Sequence, residues 1–140
     1  MKMLLSLSIV LVFLASCQQQ EVIHEENIDN PLVGKWKLIE QLADPGDGSG
    51  TFRATDKNLQ IEFFENKTFK ATRSMCSLAN YEPQTTEGKV DLNLEVLYPE
   101  GCDNLYDDVE FQIQYKMEDG QLLLYYFCIE GCGQKFEKLN

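Results

Sequence analysis

The chain has 140 residues, of which 44% are hydrophobic and 11% aromatic, so its size is that of one domain and its composition excludes a disordered protein. A formal net charge of −11 disfavours nucleic acid and anionic lipid headgroups as partners, because both would be repelled, and it permits a basic protein partner. The single histidine, His24, lies in a polar N-terminal stretch. We therefore expect no enzymatic activity and no cofactor, since a Ser-His-Asp or Cys-His site needs a histidine in the domain.

The N-terminal residues have the layout of a bacterial lipoprotein signal peptide. A positive residue precedes an apolar segment too short to span a bilayer, and Leu14-Ala15-Ser16-Cys17 resembles a lipobox. This pattern predicts a signal peptide at 1–16, lipid attachment at Cys17, a flexible tether at 17–31 and a domain at 32–140. The expected location is the cell envelope, lipid-anchored at the outer membrane of a Gram-negative bacterium. An ordinary secretory peptide is the alternative.

Alternation of apolar and polar residues predicts about eight β-strands. The first is Gly34–Leu42, with Trp36, Leu38 and Leu42 on one face. Ala43–Lys57 is rich in Asp, Pro and Gly and is predicted to be a loop; its acidic residues lack the spacing of an EF-hand. The later strands are expected at 59–64, 68–73, 78–82, 89–98, 109–117, 121–128 and 133–139.

Short connections between these strands predict an all-β fold, an eight-stranded antiparallel up-and-down β-barrel. Asn66-Lys67 and Asp119-Gly120 are turn sequences, and the second suits a type I′ turn between twisted strands. Closing the sheet removes two exposed edges that an open sheet would leave. An open two-sheet β-sandwich is the alternative.

Four cysteines remain in the domain, an even number that suggests disulfide bonds in an exported protein. A zinc site using Cys128-x-x-x-Cys132 is the competing interpretation, and we expect no metal. In the barrel, the odd-numbered connections meet at one rim, and all four cysteines fall in or beside them. Three pairings are open; the turn Ile129–Gly131, with a positive φ expected at Gly131, favours Cys128–Cys132 and hence Cys76–Cys102.

Residues 32–139 resemble the lipocalin superfamily. The resemblance rests on Gly34-x-Trp36 in the first strand, the long loop after it and the strand meander. More narrowly, the chain is similar to bacterial lipocalin-like lipoproteins that end in a CxEGCxxKF-type hairpin, here Cys128–Phe136. The resemblance implies that Trp36 plugs the closed end of the barrel and stacks with a basic residue of the last strand, Lys138 or Lys135, where lipocalins usually have arginine.

Two functions follow from this sequence. The first is carriage of a small apolar or amphipathic ligand: Arg73 continues the inward face of its strand near the mouth, where it would meet a ligand carboxylate, and Tyr115 and Tyr126 are inward hydrogen-bonding candidates. The ordinary alternatives are a solvated rim arginine and core tyrosines. The second function is that of an acidic protein-binding module, such as an inhibitor of a basic cell-wall hydrolase.

Overall fold

The computed structural model describes residues 30–78, 83–104 and 106–140, and these form β-strands and connections without a helix. No helix in these ranges is long and apolar enough to cross a membrane. The described strands are β1 (Gly34–Ala43), β2 (Arg53–Ala54), β3 (Gln60–Phe63), β4 (Thr68–Ala71), β5 (Thr86–Asp91), β6 (Val96–Pro99), β7 (Ile113–Glu118), β8 (Gln121–Tyr125) and β9 (Cys132–Lys138).

Eight of these strands close into an antiparallel up-and-down barrel, which confirms the fold predicted from the sequence. The ring order is β1-β3-β4-β5-β6-β7-β8-β9, and β9 closes the ring by pairing along β1 from Lys138 opposite Trp36 to Cys132 opposite Ala43. The two-residue strand β2 lies outside the ring and pairs with Glu40 and Gln41 of β1. Because the sheet closes on itself, the sandwich alternative is wrong.

Several predicted features lie outside the described residues. They are the signal peptide at 1–16, the lipid-attachment site Cys17, the tether up to residue 29 with His24, and residues 79–82 of the strand expected at 78–82.

The strand predicted at 89–98 is instead a hairpin, β5–β6. The side chain of Asp91 accepts hydrogen bonds from the amides of Asn93 (2.8 Å) and Leu94 (3.0 Å), and Glu95 takes a positive φ of 55°. An aspartate that bonds its own backbone in this way competes with the strand ladder and favours a turn. Leu94 is therefore 65% exposed instead of inward, and Leu97 is buried in its place.

Three smaller predictions, two about side-chain direction and one about a turn, are also wrong. A β-bulge between Leu38 and Glu40 shifts the register of β1 against β9, so Leu42 pairs with Gly133 on the face opposite Leu38. Val109, expected inward, lies before β7 and is exposed. Gly131 has no positive φ; the connection from β8 to β9 runs over residues 126–131 and is wider than the predicted three-residue turn.

The turns on the other side of the barrel match their sequences. Asp119 and Gly120 both have positive φ values (51° and 76°), as a type I′ turn requires. In the turn after β3 it is Lys67, with φ 61°, that takes the left-handed conformation, while the Asn66 side chain accepts a hydrogen bond from the Thr68 hydroxyl at 2.7 Å.

The barrel interior is filled by side chains. Gly88 lies opposite Phe69 in the sheet, and a Cβ at this position would clash with the backbone carbonyl oxygen of Tyr98 and meet the Phe69 ring at 2.6 Å, so the glycine makes room for both. The buried apolar residues of this core are Leu32, Trp36, Leu38, Leu59, Ile61, Phe63, Phe69, Ala71, Met75, Val90, Leu97, Phe111, Ile113, Tyr115, Leu122, Leu124 and Phe136.

Candidate functional site

One end of the barrel, here called the closed end, is sealed by Trp36. Its indole Nε1–H donates to the carbonyl of Leu32 at 2.7 Å, and both side chains are buried. Above the indole ring lies the Nζ of Lys138, 5.4 Å from the centroid, and this ammonium also donates to the carbonyl of Pro31 at 3.0 Å. Of the two candidate lysines, Lys138 therefore contacts the tryptophan, while Lys135 lies elsewhere and pairs with Glu40 at 2.6 Å.

The opposite end, here called the rim, carries both disulfide bonds. Cys76 joins Cys102 with a Cα–Cα distance of 5.2 Å, and Cys128 joins Cys132 at 6.2 Å, which is the predicted pairing. The first bond joins the β4–β5 connection to the β6–β7 connection, and the second joins the β8–β9 connection to the start of β9. The odd-numbered connections do meet here, because the ring has the predicted eight strands and β5 (Thr86–Asp91) is the fourth of them.

A side chain of the connection from β4 to β5 closes the barrel interior at the rim. Met75 in this connection is completely buried and belongs to the core, and its amide donates to the buried hydroxyl of Thr86 at 3.1 Å. Phe111 enters the same core from the connection before β7. Cys76 directly follows Met75, so the Cys76–Cys102 bond fixes the segment that carries Met75.

The three predicted ligand-binding residues occupy different surroundings. The Nε–H of Arg73 donates to the carbonyl of Asn58 at 3.1 Å, beyond the end of β4, where strand alternation no longer sets its direction. Tyr126, at the rim, donates its hydroxyl to the Oε1 of the buried Gln134 at 2.8 Å. The buried Tyr115 lies beside the closed-end turn, since its amide donates to the carbonyl of Glu95 at 2.9 Å.

The environment of Tyr115 also favours the neutral phenol. Burial raises the pKa of Tyr115 above its ordinary value, and the carboxylates of Glu95 and Asp91 add to the shift. Such a hydroxyl is suited to the core that surrounds it and does not supply a charge for a ligand.

The connection from β1 to β3 folds at the rim around Asp44. Its carboxylate accepts amide hydrogen bonds from Gly46 (2.8 Å), Gly48 (3.1 Å) and Gly50 (2.8 Å), and these bonds lower the pKa of Asp44. The Asp44 amide donates in turn to the carbonyl of Gly131 at 3.0 Å, which links this connection to the β8–β9 connection. The carboxylate is thus used to order a loop.

The outer wall of the barrel offers a shallow groove of about 300 Å³ between β4 and β5. It is lined by apolar and charged side chains, among them Phe64, Lys89 and the ion pair of Lys70 with Glu87 at 2.7 Å. An exposed ion pair of this kind contributes little to stability.

Four exposed apolar side chains form what we call the rim patch: Tyr106, Val109, Phe127 and Ile129. Tyr106 and Phe127 are 64% and 68% exposed, and their rings meet edge to face at 6.4 Å. Tyr106 and Val109 lie between β6 and β7, and Phe127 and Ile129 between β8 and β9, so both connections belong to the rim. The strand pattern did not predict this patch, because the strands expected at 109–117 and 121–128 include Val109 and Phe127. The available signal was the apolar run that continues past Cys128 to Ile129.

Within residues 30–78, 83–104 and 106–140, no group of three or more His, Cys, Asp or Glu side chains is placed to hold a metal ion. Comparisons with protein-family models, with curated proteins and with solved structures found no match to this chain. The lipocalin-like resemblance accordingly stays a prediction, supported by the barrel architecture alone.

Proposed function

We propose that this chain is a non-enzymatic, lipid-anchored protein of the bacterial envelope whose barrel binds a protein partner through its outer surface. The observation that carries the proposal is the filled interior: buried side chains occupy the barrel from Trp36 at the closed end to Met75 at the rim. A barrel of eight strands either fills itself with side chains or holds one small ligand. The buried side chains of this core favour the first of these two cases.

The carrier hypothesis has less support from the same contacts. An anionic ligand would need an inward cation beside a cavity, whereas Arg73 contacts a backbone carbonyl outside the core. Its two supposed tyrosine partners lie toward opposite ends of the barrel, one hydrogen-bonded to Gln134 and the other next to Glu95. Binding of a ligand in the interior would also require Met75 to leave its buried position.

A fluorescent fatty acid titrated into the chain carrying Cys17→Ser tests the choice, because this change leaves no site for acyl chains. We expect no saturable binding to this protein, and none to a second version with Arg73→Ala. Met75→Ala, which removes the side chain that closes the interior at the rim, is the informative variant: it should admit the probe weakly, since it leaves an apolar space in place of a buried side chain.

Saturable binding to the chain with Met75 intact would contradict the proposal. If Arg73→Ala then weakened that binding by about 1.5–3 kcal/mol, the size of a charge-assisted hydrogen bond, the carrier function would replace it.

A further inference from the structure

We infer that the rim patch is the docking surface and that its partner is a basic protein with an apolar pocket bordered by lysine or arginine side chains; this inference rests on the proposed function. The patch is made of large apolar side chains that the barrel does not use. Phe127 is 68% exposed and Ile129 projects fully into solvent. Clustered apolar side chains on the surface of a soluble domain mark interaction sites more often than scattered ones do.

The patch is held in place by covalent bonds. Cys128 lies between Phe127 and Ile129 and is bonded to Cys132 at the start of β9, and Cys102 anchors the connection that carries Tyr106. The edge-to-face contact of Tyr106 with Phe127 joins the two connections to each other. A surface fixed in this way loses little conformational entropy when a partner binds, which favours affinity at a small contact area.

The charges around the patch identify the partner. The connections 100–112 and 126–131 contain no lysine or arginine and carry the carboxylates of Glu100, Asp103, Asp107, Asp108, Glu110 and Glu130. All six of these residues are exposed. Opposite charges across an interface steer association and select the partner, so an apolar core surrounded by carboxylates fits a pocket surrounded by cations.

The same charges argue against two other occupants. A second copy of this chain would bring two acidic rims together, which is repulsive. A membrane surface would place these carboxylates among anionic headgroups, which repel them. The apolar side chains could enter the lipid only if the neighbouring carboxylates entered with them, and burying those charges is costly.

The test uses photo-crosslinking from single positions of the full chain, expressed in the cells that make it. Phe127 is replaced with p-benzoylphenylalanine, and so are two controls: Leu94, which is 65% exposed at the closed-end turn, and Phe64 in the outer groove. The adducts are identified by mass spectrometry. We expect position 127 to trap a protein of basic pI and position 94 to trap none.

The identified protein is then purified and its binding to the full chain is measured. Phe127→Ser should weaken binding roughly 30-fold, as loss of an interface hot spot does, while Leu94→Ser should leave it unchanged. Asp107→Asn combined with Asp108→Asn should slow association and reduce its salt dependence, and Glu65→Gln at the closed end should not. The variants change exposed side chains, so their melting temperatures should equal that of the parent chain.

The outcomes separate the two proposals. A basic protein trapped from position 64 or 94 instead of 127 would overturn the docking surface and leave the protein-binding function standing. An acidic protein, lipid or a second copy trapped from position 127 would overturn the inferred partner. If no position traps another protein, both proposals fail.

Discussion

The two ends of this barrel are stabilised by different physics. At the closed end a buried indole donates a hydrogen bond to a backbone carbonyl and lies under a lysine ammonium. The turns there are as short as two residues. At the rim the connections are long and acidic, and two disulfide bonds hold them in place. The difference shows how one small barrel keeps a rigid base while leaving its other end available for a surface that carries function.

Trp36→Ala should break the closed end and give the largest effect, because it removes a fully buried ring and leaves the Leu32 carbonyl without its donor. We expect a loss of about 3–5 kcal/mol in the free energy of unfolding, measured by urea denaturation. Leu94→Ala, at an exposed position of the same end, should cost about 0.5 kcal/mol or less. Comparable losses in the two variants would show that the indole does not seal the barrel.

Replacement of Cys76 and Cys102 by serine should break the rim. The bond closes a loop with a sequence separation of 26 residues, and its removal should cost about 3.5 kcal/mol by the chain-entropy estimate. The matched variant without Cys128 and Cys132, separated by 4 residues, should lose about 2 kcal/mol.

Native fluorescence of the single tryptophan reports whether the closed end survives this change. It should be the same in both cysteine variants as in the parent chain. A red-shifted emission in the folded variants would mean that the two ends are not independent.

Lys138→Met sharpens the comparison at the closed end, since it keeps the aliphatic stem over Trp36 and removes the charge. The loss of the cation–π contact and of the hydrogen bond to Pro31 should cost about 1 kcal/mol. Lys138→Arg should restore most of the stability, because guanidinium also stacks on an aromatic face. Equal stability of Lys138→Met and the parent chain would show that the ammonium does not contribute to stability.

Asp44→Asn tests the smallest effect, at the rim. Amide hydrogen bonds to the carboxylate, first among them that of Gly46, lower the folded-state pKa below the ordinary value of 3.8. The stabilisation is therefore complete above the unfolded-state pKa and is lost as the pH falls through the lowered folded-state value. The parent chain should lose more stability than Asp44→Asn below about pH 4, measured by thermal melts across pH. Parallel pH curves would exclude this role for Asp44.

The barrel was predictable from the sequence because its strands alternate clearly and its turns use residues that accept positive φ. Asp119-Gly120 is the clearest example. That the cysteines meet at one rim was predictable for a topological reason: neighbouring antiparallel strands alternate in direction, so every odd-numbered connection lies at the same end. The pairing itself was predicted from the short distance in sequence between Cys128 and Cys132. The contact of a lysine with Trp36 followed from the family resemblance.

The errors arose where a local interaction interrupts the alternation. The alternation of apolar residues continues as far as Tyr98, but the strand ends at Asp91. It ends there because the Asp91 side chain accepts hydrogen bonds from the backbone amides of Asn93 and Leu94. After the bulge at Leu38, the residues of β1 that were expected to face inward face outward, and the alternation of apolar and polar residues in the sequence does not indicate this change. The interior could not be judged from the sequence either, since Met75 reaches it from a connection and not from a strand.

The closure of the ring has a kinetic consequence. Every ring strand pairs with the strand before it except at the seam between β1 and β9, whose residues are about as far apart in the chain as the domain allows. Local hairpins form fast, whereas a pairing between distant segments must first overcome the entropy of closing a long loop. We expect the amide of Leu139, which donates to the carbonyl of Lys35 across this seam at 2.8 Å, to gain protection later in refolding than the amides of the β7–β8 hairpin, in pulse-labelled hydrogen exchange. The seam would then be the last part of the barrel to form, and the indole would report the final step of folding.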